Sequence, residues 1–118
     1  MTTMSMRGLA TAGFAGELED GDYQAQLVWY AEDAQLSVVN WGRSTENPRL
    51  LLGKPAIADW ISRTFSDNQS VRVVYDVHHD EEITIIAECR KDDGTLCIYS
   101  CTAQLQGGLI VRQHVVLL

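Results

Sequence analysis

The chain has 118 residues, 46% hydrophobic and 21% charged, a balance that suits one folded domain over residues 1–118 and excludes a disordered chain. Nine Lys and Arg stand against sixteen Asp and Glu, for a formal charge of −7, and the basic residues are scattered from Arg7 to Arg112. Nucleic acid and anionic membrane surfaces are therefore not expected as partners.

Residues 8–16, GLATAGFAG, are too small and glycine-rich for a secretory apolar core, and no run approaches the ~18 apolar residues of a membrane span. Cys89, Cys97 and Cys101 are an odd set without CxxC spacing, which points to reduced thiols in a cytoplasmic protein. Cys97 and Cys101 would lie ~13 Å apart on a strand, too far to share one ion. No metal or cofactor is expected.

Residues 4–19 read as a helix, with Met6, Ala10, Phe14 and Leu18 recurring every four residues on one face. Gly21 suits a left-handed stop, and Asp22 suits the N-cap of a second helix at about 23–31. That helix carries Tyr23, Leu27, Tyr30 and Ala31 on one side. Residues 34–39, AQLSVV, read as a short strand, and 40–49, NWGRSTENPR, as a linker. A third helix starts at Gly53-Lys54-Pro55, with Pro55 in its first turn. Ile57, Trp60, Ile61, Thr64 and Phe65 then trace its core-facing stripe. Strands follow at about 71–79, 83–91, 95–105 and 109–117. Gly94 suits a three-residue hairpin loop, and Gly107-Gly108 closes the last hairpin. The order α-α-β-α-β-β-β-β predicts an α+β domain with helices against a mostly antiparallel sheet.

The Gly94 loop sets a register in which Cys89 faces Cys97, Ala87 faces Tyr99, and Ile85 faces Cys101 on one sheet face. The other face carries Ile86, Glu88, Ile98, Ser100, Thr102 and Gln104. Both faces are partly apolar, so a second subunit is expected to cover the outer one. On the strand at 71–79, Tyr75 and Val77 read as inward. Asp76 and His78 then point outward, and His79 points to the inner rim.

The segment from Gly21-Asp22 to Tyr30-Ala31-Glu32-Asp33-Ala34 resembles the signature of the nuclear transport factor 2-like, or SnoaL-like, superfamily. Gly53-Lys54-Pro55-Ala56-Ile57 resembles the start of that superfamily's third helix, and Gly108-Leu109-Ile110-Val111-Arg112 the opening of its last strand. The resemblance implies a cone of curved sheet around three helices, a pocket between sheet and helices, and a homodimer through the convex sheet face. It does not fix function, because the superfamily holds isomerases, cyclases, dehydratases and non-catalytic modules. In ketosteroid isomerase an aspartate base works with an oxyanion hole of a tyrosine and a protonated aspartic acid. The resemblance places these at Val38, Phe14 and near Cys101, so all three roles are missing or changed. A supporting tyrosine survives as Tyr30, on the second helix.

The expected pocket lining is Phe14, Tyr30, Val38, Trp60, Ile85, Tyr99, Cys101 and Gln113, with Trp41 at the mouth to gate or stack on a ligand. Its polar equipment would be Tyr30, Tyr99, Gln113 and His79, a set suited to hydrogen bonding a carbonyl rather than to strong acid–base work. The cysteines read as buried small hydrophobes. Two functions follow. One is the binding, with or without turnover, of a small hydrophobic molecule. The other is a non-catalytic dimerisation or protein-interaction module with a vestigial pocket.

Overall fold

A computed structural model describes residues 14–16, 18–19, 23–40, 48–65 and 69–118. Residues 14–16 and 18–19 are helical, and residues 4–13 of the expected first helix lie outside the described set. Helix α1 is Tyr23–Leu27 and α2 is Lys54–Thr64. The strands are β1 (Tyr30–Asn40), β2 (Arg49–Leu52), β3 (Gln69–His79), β4 (Glu82–Lys91), β5 (Leu96–Gln106) and β6 (Leu109–Leu117). They form one sheet in the order β2-β1-β6-β5-β4-β3. Neighbours are antiparallel except β1 and β6, which run parallel.

Two expectations change at the first turn. Helix α1 is shorter than 23–31, so Tyr30 and Ala31 belong to β1 instead of a helix. Val28 N donates to Ala25 O and Trp29 N to Gln26 O, tightening the helix end into a turn. Ile110 N then donates to Trp29 O at 2.7 Å, so β6 takes over the backbone before a second helical turn can form. Strand β2 is the other addition. It starts at the end of the stretch read as linker and pairs Leu51 with Leu36, burying Leu51 and leaving Leu50 and Leu52 exposed.

The hairpins form where the glycines permit. Gly107 and Gly108 both have positive φ, at 61° and 83°, as a two-residue turn compatible with strand twist requires. The expected register holds: Cys89 pairs with Cys97, Ala87 with Tyr99, and Ile85 with Cys101.

Strand β3 departs from simple alternation. Val73 pairs with Ala87 and Tyr75 with Ile86, so Val74 is an extra residue that bulges out of the ladder. The bulge reverses the parity of everything after it. Asp76 now pairs with buried Ile85 and His78 with buried Ile83, so both lie on the inner face. Tyr75 and Val77 lie on the outer face, the reverse of the expectation from strict alternation. Glu19 holds the distortion from the helical side, accepting a 2.7 Å hydrogen bond from Val73 N.

The core lies between the inner face and the helices. Phe14 and Leu18 from the first helical segment, and Ile57 and Ile61 from α2, pack with Leu36 of β1 and Ile85 of β4. The stripe expected on the third helix is the buried face of α2. Among the described residues, no helix is long and apolar enough to cross a membrane.

Candidate functional site

The inner face is a grid set by strand register. One row runs His78, Ile83, Ala103, Gln113, Leu36 and Leu51 from β3 to β2. The adjacent row runs Asp76, Ile85, Cys101, Val115 and Val38. Gln113 therefore sits among aliphatic neighbours near the middle of the sheet, and it is buried. A lone amide there would cost stability. Three side chains remove the cost. Tyr30 Oη donates to Gln113 Oε1 at 2.6 Å. Gln113 Nε2 in turn donates to Cys101 Sγ at 2.9 Å and to Tyr99 Oη at 3.4 Å. The tyrosine on β1 and the pair on β5 thus clamp the amide of β6 from both sides.

Burial sets the protonation of this cluster. It raises the Tyr30 phenol far above the usual tyrosine value, with Cys101 adding to the rise and Gln113 only partly opposing it. Tyr99 moves the same way, by burial first and then by its neighbours Cys101 and Tyr30. Burial also raises the Cys101 thiol, against the lowering effect of its bonds with Gln113 and Tyr99. Cys89 rises to about 11, by burial and by Cys97 opposite. The phenols and these thiols stay neutral at physiological pH. They are poor nucleophiles and poor bases, but neutral hydrogen-bonding groups.

Aromatic rings surround the cluster. Phe65, just past α2, meets Tyr23 at 6.0 Å, Trp60 at 6.0 Å and Tyr99 at 5.5 Å between centroids. Phe14 meets Tyr30 edge-on at 6.3 Å and Trp29 at 6.0 Å. Such contacts are worth roughly 0.5–1.5 kcal/mol each beyond area burial.

The expected lining residues Phe14, Tyr30, Val38, Trp60, Ile85, Tyr99, Cys101 and Gln113 are all buried in this interior. Trp41 lies outside the described residues. His79 is a correction. Its side chain is 82% exposed beside Asp80, because it follows the bulge and ends the strand on the outer parity. His78 is the imidazole on the inner face, about 14 Å across three strand spacings from Gln113. Glu32 and Asp33 are exposed, with Glu32 3.7 Å from Lys54.

Phe65 was left out of the expected pocket lining, and Gln26 was missed altogether. Phe65 was visible as the last member of the α2 stripe. Gln26 lies between Tyr23 and Leu27 at the i+3 position of the inward stripe of α1, where an apolar residue is usual. It is 1% exposed, and its Nε2 has no hydrogen-bond partner. An open groove of about 320 Å³ lies at the rim between Glu81-Glu82, Gln104-Leu105-Gln106 and Val111, away from the buried cluster. Among the described residues no group of three or more His, Cys, Asp or Glu is placed to hold a metal ion.

No protein-family model matches the chain, and no curated protein is similar to it in sequence. Solved structures are similar in fold. An NTF2-like protein of unknown function from Burkholderia xenovorans has a TM-score of 0.78 at 12% identity, covering 97% of this chain and 84% of that one. The chain has the NTF2-like fold. A second NTF2-like protein of unknown function, from Mesorhizobium loti, has a TM-score of 0.77 at 14% identity, covering 100% of this chain and 95% of that one. A protein from Catenulispora acidiphila with a ketosteroid isomerase-like fold, in complex with trimethylamine, has a TM-score of 0.65 at 15% identity, covering 91% and 83%. At these identities the likeness is one of NTF2-like architecture alone, and the chemistry must be read from the site.

Proposed function

We propose that the protein binds a small, uncharged, largely apolar molecule between the inner sheet face and the helices, and that it does so as a homodimer. The observation that carries this reading is the buried Tyr30–Gln113–Tyr99–Cys101 cluster, drawn from three strands onto one spot at the apolar centre of the inner face. A few convergent polar groups in an apolar interior are the usual lining of a small-molecule site. The neutral phenols and thiol favour binding over proton transfer. Val38, Phe14 and Cys101 leave the isomerase roles unfilled.

A thermal-shift screen of uncharged and charged hydrophobic compounds tests it. Uncharged ligands are expected to raise Tm by several degrees at saturating concentration, and Tyr30→Phe to reduce that shift. A screen in which no compound moves Tm of the wild-type protein rejects the reading.

A specific observation favours the second reading, a non-catalytic interaction module. The ring chain from Tyr23 through Phe65 to Tyr99, with Trp60 beside it, occupies space a ligand would use. The outer face supplies the interaction surface in either case. Its apolar row runs Tyr75, Ile86, Ser100, Val116 and Val39 across five strands. Dimerisation through that row predicts a two-chain particle in sedimentation at micromolar concentration, and a single-chain particle rejects it.

A further inference from the structure

We propose that the side-chain amide of Gln26 anchors an uncharged acceptor oxygen on the molecule held in the interior, an inference that rests on the small-molecule reading above. Gln26 and Gln113 are the two buried polar or charged residues among those described. They differ in one respect. Gln113 Nε2 has two acceptors, whereas Gln26 Nε2 has none. A leucine or methionine at this position of the α1 stripe would fill similar space without an orphan donor. An unmade buried hydrogen bond is costly, and the free donor is an affinity source for whatever supplies an acceptor.

Position ties this donor to the same interior. Tyr23 and Leu27, its stripe neighbours, pack against the core cluster that contains Tyr30 and Tyr99. Tyr30 lies four positions after Gln26, across the turn pinned to β6 by Ile110 N and Trp29 O. Among the described residues no lysine or arginine side chain is buried, so none of these would pair with a carboxylate or phosphate entering this space. A ketone, ester or ether oxygen needs only the amide proton. The ligand class is therefore a neutral, mostly hydrocarbon molecule with one accessible acceptor.

Three shape-matched probes test the inference on the full chain: cyclohexanone, methylenecyclohexane and cyclohexanecarboxylate, titrated by protein-observed NMR. Wild-type protein should bind cyclohexanone about tenfold tighter than methylenecyclohexane. The Gln26→Met variant should lose that preference while still binding the hydrocarbon. Should the variant not fold, the wild-type protein still decides, because the Gln26 side-chain amide resonance must move with the ketone and not with the alkene. Equal binding of ketone and alkene overturns the anchor and leaves interior binding standing. So does a crystal structure with cyclohexanone in which water takes the acceptor position at Nε2 and the ketone sits elsewhere. Tighter binding of the carboxylate overturns the uncharged class. Binding of none of the three removes the small-molecule reading, and the anchor with it.

Discussion

Gln113 and His114 are adjacent in β6 and live in different worlds. Gln113 faces inward, held by Tyr30, Cys101 and Tyr99 at the centre of an apolar face. His114 faces outward in a row with Thr102, Thr84 and Val77, exposed to solvent. The same contrast runs across the sheet. Inside, the polar groups at the centre of the sheet are few, neutral and tied to one another, and Asp76 and His78 stand apart on the β3 edge. Outside, the side chains grade from the apolar row of Tyr75 and Ile86, through hydroxyls, to Glu82, Gln104 and Arg112. The outer ion pair between Arg72 of β3 and Glu88 of β4, at 3.2 Å, keeps its guanidinium in solvent. The inner face can therefore be altered only as a unit, whereas the outer face tolerates change residue by residue.

The largest effect that tests this comparison is at Gln113. Gln113→Leu keeps the size of the side chain but strands the Tyr30 and Tyr99 hydroxyls, and should cost about 2–4 kcal/mol in urea unfolding. A loss near zero would mean the cluster is not the closed unit described. Alkaline pH attacks the same unit. Both phenols lie above the ordinary tyrosine value, so at high pH the folded state keeps protons that the unfolded chain releases. Their contribution is complete below about pH 10 and falls as pH rises toward the folded values. Tyrosinate absorbance at 295 nm should show these two phenols ionising only together with unfolding, detected by circular dichroism.

The outer face should respond differently. Tyr75 is 50% exposed, and Tyr75→Lys should change monomer stability by less than about 0.5 kcal/mol. It should nevertheless turn a dimer into single chains in sedimentation. The most local effect is expected at the bulge. Glu19→Ala removes one exposed hydrogen bond to Val73 N and should cost about 0.5–1 kcal/mol. Its signature is local: amide resonances of Asp76 and His78 should shift while those of β5 and β6 stay in place.

Much of this contrast was legible in the sequence. The register across β4 and β5 followed from one loop, because Gly94 fixes a three-residue turn and parity propagates from it without error. Gln113 was placed inside by the same counting. Three features were not legible, each for a local reason. Strand β2 is four residues long and is stabilised by pairing with β1, which leaves almost no period to detect. Tyr30 reads as helical by spacing, and only the bond from Ile110, far along the chain, draws it into a strand. Asp76 and His78 were assigned outward because alternation assumes an unbroken ladder. One inserted valine, Val74, falsifies that assumption for the rest of β3. His79 failed by the same residue. Gln26 went unnoticed because a polar residue within a stripe looks like noise until its burial is known.

The parallel pairing of β1 with β6 bears on how the molecule folds. Tyr30 and Gln113 are separated by 83 residues, yet their hydrogen bond lies at the middle of the sheet. The antiparallel hairpins β3-β4, β4-β5 and β5-β6 can zip from their turns, each as a local event. The β1-β6 contact cannot, because it closes a loop containing nearly every other described element, and its entropy must be lost in a single step. A slow last phase is expected, in which a preformed four-stranded meander captures β1. On a ribosome, β1 is made first and must wait for β6 before it gains its central neighbour. Until then the apolar side of β1, with Leu36 and Val38, is the part of the nascent chain most in need of protection from aggregation.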